Sequence, residues 1–246
     1  GETVTIQGPY QQAGGGYAWY GFLNQGQSYI IIDGFTVKGF HAAVNCQAPG
    51  HHFIVRNMTA AGNSEVGLGS VNGTGGSGCD FITFENNIVH HNGYYEDGTP
   101  AIKKYEGGGS GISINGQTKP YVYDSDFSYI HSYVRNNIIY HNFDGNGGNL
   151  MNTSTHTDGN GIIIDIAGNM PPISIDHNVI YDNGGRCVHI YGSKNVWVTN
   201  NTCYKNAWDT EVRSPTGYAE ITAWWDSGIC PSNIHINNNI AWALPN

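Results

Sequence analysis

Short runs of β-branched and aromatic residues recur along the whole chain with apolar and polar positions alternating: IIID at 30–33, FITF at 81–84, PISI at 172–175, VWVT at 196–199 and IHIN at 234–237. A period of two over four to six residues, bounded by Gly, Asn and Asp, predicts short strands. No stretch places apolar residues three and four apart over ten or more positions, so a helical reading has nothing to rest on.

A polar phrase is superimposed on the strands. It reads FENNIVHHN around Asn87, VRNNIIYHN around Asn137, DHNVIYDN around Asn178, TNNTCYKN around Asn201 and NNNIAWAL around Asn239. Weaker copies, DGFTVKGF and RNMTAAGN, centre on Phe35 and Met58, and a second polar column follows at Asn63, Asn92, Asn142, Asn183 and Asn206. Phe35 to Met58 and Asn178 to Asn201 are each 23 residues, whereas the other intervals are 29, 50, 41 and 38. One coil of about two dozen residues, with insertions on some turns, accounts for the series. Stacked coils of short strands bury a core that is continuous along the stack. Asn suits the corners, because its amide tolerates left-handed backbone and bonds local peptide groups. Identical amides about 4.8 Å apart can also bond one another coil over coil.

This pattern resembles the right-handed parallel β-helix, the fold of pectate lyases and of many other polysaccharide-active proteins. The resemblance implies an all-β solenoid of about seven to nine coils in one domain, 1–246, with Asn ladders at a corner. It extends to fold and not to a particular activity.

Composition narrows the partners. The formal charge is −9, with 10 Lys and Arg, which argues against nucleic acid. No run approaches the ~20 apolar residues of a membrane span. Gly1 leads directly into the strand-like VTIQG, which fits a processed, secreted chain acting as a monomer. Cysteines stand at 46, 79, 187, 203 and 230 without a C-x-x-C pair, so zinc is not expected and disulfides are, in a pairing left open.

The extra residues fall chiefly in 93–131, 143–172 and 207–233. Each insertion contains a strand, SGISIN at 110–115, NGIIID at 160–165 or AEITAW at 219–224, and the uninserted coil supplies RCVHIY at 186–191. One strand per coil is therefore flanked by long loops, which predicts a groove with that sheet as its floor. With Ile112, Ile114, Ile162, Ile164, Val188, Ile190, Ile221 and Ala223 inward, the outward residues are Gly111, Ser113 and Asn115, then Gly161, Ile163 and Asp165. The next two strands add Cys187, His189 and Tyr191, then Glu220, Thr222 and Trp224.

The densest polar phrase, STHTDGNGIIID at 154–165, leads into this face. Asp158 and Asp165 are candidates for calcium ligands or for an acid and base pair, with His189, Arg186 and Tyr191 assisting. In the calcium-dependent lyases of this fold, acidic residues bind the metal and a Lys or Arg removes the proton. A basic residue in that role would have to be Lys103, Lys104 or Arg186, and with no full lyase signature in the sequence no family catalytic residue is carried over. Candidate substrate contacts are Asn115, His156, Asn160, Trp224, Trp225 and Tyr105, since flat rings with polar tips suit sugars in a wet groove. The expected function is a secreted enzyme that cleaves a polysaccharide, as a lyase eliminating from uronate chains. The alternatives are a glycoside hydrolase using carboxylates among Asp158, Asp165, Glu106, Glu220 and Asp226, and a non-catalytic glycan-binding solenoid.

Overall fold

The computed structural model describes residues 4–9, 19–70, 78–93, 109–116, 121–144, 156, 158–209, 219–226 and 228–244. The strands pair in parallel into three sheets of eight, seven and seven strands, and consecutive strands always lie in different sheets. Every sheet-to-same-sheet step therefore passes through the other two sheets, which makes a right-handed parallel β-helix of seven to eight coils. Each coil runs from the sheet expected to floor a groove, called the groove sheet for that expectation (as at Ile162–Asp165), to a back sheet (Ile173–Asp176) and then to a sheet of mostly three-residue strands (Val179–Tyr181).

Alternation fixes which side chains fill the interior. Ile112, Ile114, Ile162, Ile164, Val188 and Ile190 on the groove sheet are all buried, as are Ile173 and Ile175 behind them. Each such side chain removed from water contributes about 1.5–3 kcal/mol, so the stack of aliphatic columns is the main source of stability.

The asparagines form two ladders, one at each end of the short-strand sheet. In the first, each amide nitrogen donates to the amide oxygen one coil further on: Asn87 to Asn137 at 3.0 Å, Asn137 to Asn178 at 2.9 Å, Asn178 to Asn201 at 2.9 Å and Asn201 to Asn239 at 3.0 Å. The second runs Asn63, Asn92, Asn142, Asn183, Asn206, with steps of 2.8–2.9 Å. The labour at a corner is divided between neighbours. Asn86, Asn136, His177 and Asn200 adopt the left-handed backbone (φ 56–58°), while the residue after each turns its amide inward. The ladder thus lies on the second residue of each pair and the turn on the first.

The register on the groove sheet agrees with the alternation at its middle and fails at its entry. Asn115, Asp165, Tyr191 and Trp224 are paired coil to coil, as are Ser113, Ile163, His189 and Thr222. Gly111, Gly161, Cys187 and Glu220, expected outside, face inward instead. A Cβ on Gly111 would lie 2.6 Å from Ile139 Cγ2, and one on Gly161 2.3 Å from Ile180 Cγ2. The chain is still rounding a corner there, so two successive residues point into the core before alternation begins. On the coil where that column carries Cys187, the side chain crosses the interior to a disulfide with Cys203. A second disulfide joins Cys46 to Cys79, and Cys230 is free and exposed.

Candidate active site

The outer column Asn115–Asp165–Tyr191–Trp224 is the spine of the site, built by four strands in register. Asn115 donates through Nδ2 to Asp165 Oδ2 at 2.7 Å, so the carboxyl is held along the column. The decisive neighbour of Asp165 comes from the last insertion. Asp226 lies in a tight turn closed by Ile229 N–H to the Asp226 carbonyl at 2.7 Å. Two glycines let that turn settle on the solenoid. A Cβ on Gly168 would lie 2.7 Å from Ile229 Cγ2, and one on Gly192 (φ +53°) 3.2 Å from the Asp226 carbonyl oxygen. Asp226 therefore reaches the sheet beside Tyr191 and accepts a hydrogen bond from the phenol.

Electrostatics single out Asp165. Burial, and then the negative charge of Asp226, push the Asp165 carboxyl up to about 7 against the opposing bond from Asn115. The Tyr191 phenol is pushed up to about 12, first by burial and then by its bond to Asp226, with Asp165 and Asp158 adding repulsion. It remains a neutral donor at any ordinary pH. His189 faces outward but is buried, not solvent-facing as expected, with Nδ1 2.6 Å from Thr222 Oγ1 and its ring 5.3 Å from that of Tyr191. Burial, aided by the positive charge of Arg186, drives its imidazole down to about 3, so it is uncharged.

The STHTDGNG segment is placed differently from its simplest reading. Asp158 does not pair with Asp165. It precedes the strand Ile162–Asp165, which alone carries the chain ~10 Å, whereas calcium ligands lie within about 2.6 Å of the ion. Asp158 instead sits near Arg186, which feels its charge. Its backbone N–H donates to Asp144 Oδ2 at 3.2 Å. Asn160, expected to touch substrate, is fully buried and bonds internally: its Oδ1 accepts from Arg186 N–H at 2.9 Å. His156 is hydrogen-bonded through Nδ1 to the buried Asp209 carboxylate and packs edge-on against Phe143 at 5.2 Å, tying two insertions together.

Glu220, one of the carboxylates considered for hydrolysis, also faces inward. Its Oε1 and Oε2 accept from the Asn206 backbone N–H at 3.0 Å and from Asn206 Nδ2 at 2.7 Å, closing the second ladder. Trp224 is partly buried on the column, whereas Trp225 is 59% exposed beside it and offers an open ring. Trp208 stacks on Phe143 at 5.0 Å and packs loop to solenoid. Lys103, Lys104, Tyr105 and Glu106 lie outside the described residues.

Of the six to eight oxygens that calcium takes, the adjacent carboxylates Asp165 and Asp226 offer at most four, one of them bonded to Tyr191, and carbonyls and water would complete the set. Among the described residues, the one group of three metal-ligating side chains is Cys187, Cys203 and Glu220, and its cysteines are joined to each other.

No protein-family model and no curated protein matches the chain. Among solved structures, it is similar to the A-module of the Azotobacter vinelandii mannuronan C-5 epimerase AlgE4. That similarity covers 88% of this chain and 62% of the module, at 15% identity and a TM-score of 0.45. The chain thus spans under two thirds of that module's length.

Of the positions singled out from sequence, Asp165, Tyr191, Trp224 and Asn115 come together in one column, and Arg186, His189 and Asp158 border it. Asp226 had been weighed only as one carboxylate among several. The signal that could have promoted it was the pair Gly168 and Gly192, each just past the end of a groove strand, where a folded-over loop needs room.

Proposed function

We propose that this protein is a secreted carbohydrate-active enzyme that hydrolyses a glycosidic bond of a polysaccharide lying across the groove sheet. The observation that carries the reading is the pairing of Asp165 with Asp226. Asp165 keeps its proton to about pH 7, held there first by burial and then by the charge of Asp226. A carboxyl that keeps its proton, beside a second carboxyl, is the arrangement that general acid–base hydrolysis uses. Asp165 donates its proton to the leaving glycosidic oxygen. Asp226, oriented by the Tyr191 hydroxyl, takes a proton from the attacking water. Water oxygen ends on the anomeric carbon, and its hydrogens end on Asp226 and the sugar product. Trp225 and Trp224 supply ring faces for the sugars on either side. The two disulfides fit an oxidising, extracellular setting.

Elimination from a uronate chain is the second reading, favoured by the juxtaposition of Tyr191 and His189, whose rings lie 5.3 Å apart on one strand. The products separate the two. Hydrolysis yields new reducing ends alone, whereas elimination adds an unsaturated sugar that absorbs in the ultraviolet. Incubation with neutral and acidic polysaccharides, with and without chelator, is the assay. Asp165→Asn is expected to lower turnover at least ~100-fold, the smaller end of what a placed acid contributes. Full activity in that variant would place the chemistry elsewhere.

A further inference from the structure

Arg186 takes no part in the proton transfers described above, yet it is the most unusual charge in the groove. It is 5% exposed, and its Nε has no hydrogen-bond partner. The other described arginines are both paired: Arg56 with Asp33 at 2.8 Å, and Arg135 with Glu85 at 2.8 and 3.0 Å. Those two sit partly exposed on the back sheet, where an ion pair contributes little. Arg186 is the one with most to gain from a partner, because burying a guanidinium with an idle donor leaves its desolvation uncompensated.

Its position says where that partner would come from. The backbone N–H of Arg186 is anchored on buried Asn160 at 2.9 Å, and the strand that follows carries His189 and Tyr191 onto the groove face. Asn160 joins the two charged residues, its Oδ1 accepting from Arg186 N–H at 2.9 Å and its Nδ2 lying 3.4 Å from Asp158 Oδ1, so Arg186 and Asp158 border one space at the entry to the strand that carries His189 and Tyr191. Asp158 offsets part of the positive charge without forming a close ion pair with it among the described residues. A planar guanidinium fork matches a carboxylate or a sulfate oxygen pair better than any other side chain does. A chain of net charge −9 repels polyanions at long range, so an acidic ligand needs such a local, desolvated cation to be held at all.

We infer that Arg186 forms an anion subsite in the groove, taking the carboxylate or sulfate ester of an acidic sugar, so that the polysaccharide bound here is acidic. This rests on the reading of the groove as the sugar site, but it is tested by binding and not by turnover. The Asp165→Asn protein is titrated calorimetrically with three probes: galacturonate oligomers, the same oligomers after reduction of their carboxyl groups, and sulfated galactan oligomers. At least ~10-fold tighter binding of one acidic probe than of the reduced, neutral one is expected, weakening with added salt. The uronate and sulfate arms tell the two anions apart. Adding Arg186→Gln should remove that ~10-fold preference, and Arg186→Lys should restore part of it, since charge survives while the fork is lost. Equal or absent binding of charged and neutral probes overturns the subsite, as does an Arg186→Gln protein that is folded and keeps the preference. Where that variant does not fold, the comparison of charged with neutral probes on the Asp165→Asn protein decides. Charge-selective binding without cleavage by the wild-type chain would leave the subsite standing and remove the hydrolase.

Discussion

Replacing Glu220 tests whether an inward carboxylate terminates a ladder or performs chemistry. Glu220→Ala removes two acceptors from Asn206 in a buried corner: its backbone N–H (3.0 Å) is left without a partner, and one Nδ2 proton (2.7 Å) loses its acceptor while Nδ2 keeps its bond to the Ile180 carbonyl at 3.0 Å. Each orphaned donor costs about 1–3 kcal/mol, so the variant should lose about 2–5 kcal/mol of stability. Glu220→Gln is the informative contrast. On the lower rungs one amide oxygen accepts both donors of the rung before it, as Asn206 Oδ1 does for Asn183 at 3.1 and 2.8 Å. A glutamine oxygen can do the same, so that variant should stay within about 1 kcal/mol of wild type. The pH dependence distinguishes them further. Burial raises the Glu220 carboxyl above its ordinary value of 4.5, although both bonds from Asn206 oppose the shift. The folded state therefore holds a proton that the unfolded state has released, and wild-type stability falls as pH rises from the ordinary value through the raised one. Glu220→Gln should lack that slope. Urea unfolding of the three proteins at several pH values measures both effects. A loss below about 0.5 kcal/mol in Glu220→Ala would refute the capping role. Loss of cleavage in Glu220→Gln at unchanged stability would return this carboxylate to the active site.

Three further outcomes are expected. Asn137→Ala in the middle of the first ladder should cost about 2–5 kcal/mol, because Asn87 N–H and one Nδ2 proton lose their acceptor while Nδ2 keeps its bond to the Val55 carbonyl, and a smaller loss at the terminal rung, Asn239→Ala, should accompany it in the same unfolding experiments. Cleavage should decline as pH rises past about 7, where Asp165 gives up its proton, and the alkaline limb of kcat/KM in Asp165→Glu should shift if this carboxyl is responsible. Gly192→Ala should reduce kcat by displacing Asp226, since the new Cβ would stand 3.3 Å from Asp226 Cβ at a left-handed position; wild-type kinetics in that variant would show that the Asp226 turn is not held there.

How far the residues spoke for themselves follows from what each signal depends on. The Asn columns and the Ile162–Ile164 alternation are local and periodic, so fold, coil length and the outward column could be read from them. Alternation cannot announce where a corner ends, and so Gly161, Cys187 and Glu220 were assigned to the wrong side. Corners also bring neighbours together that a strand would separate. His51 and His52 converge to 2.8 Å between their Nδ1 atoms because His52 takes a left-handed backbone (φ +54°). The pairing of Asp165 with Asp226 depends on how an insertion folds back across two coils, and no periodic signal encodes that.

The ladders have a direction. Every rung of the second column presents its oxygen to the coil before and its N–H to the coil after, from Asn63 through Asn206. Amide dipoles aligned head to tail reinforce one another along the axis, as peptide dipoles do in a helix, and leave a positive pole at the far end. Glu220 sits at that pole, and as an acceptor without a donor it can end the series but cannot continue it. An aspartate or glutamate in an interior rung would still accept from the rung before but could not donate to the rung after, so the series would be cut at that point. In a solenoid of this kind, then, an acidic residue in the amide column works as a stop sign, marking the last coil that the column serves and fixing the direction in which further coils can be added.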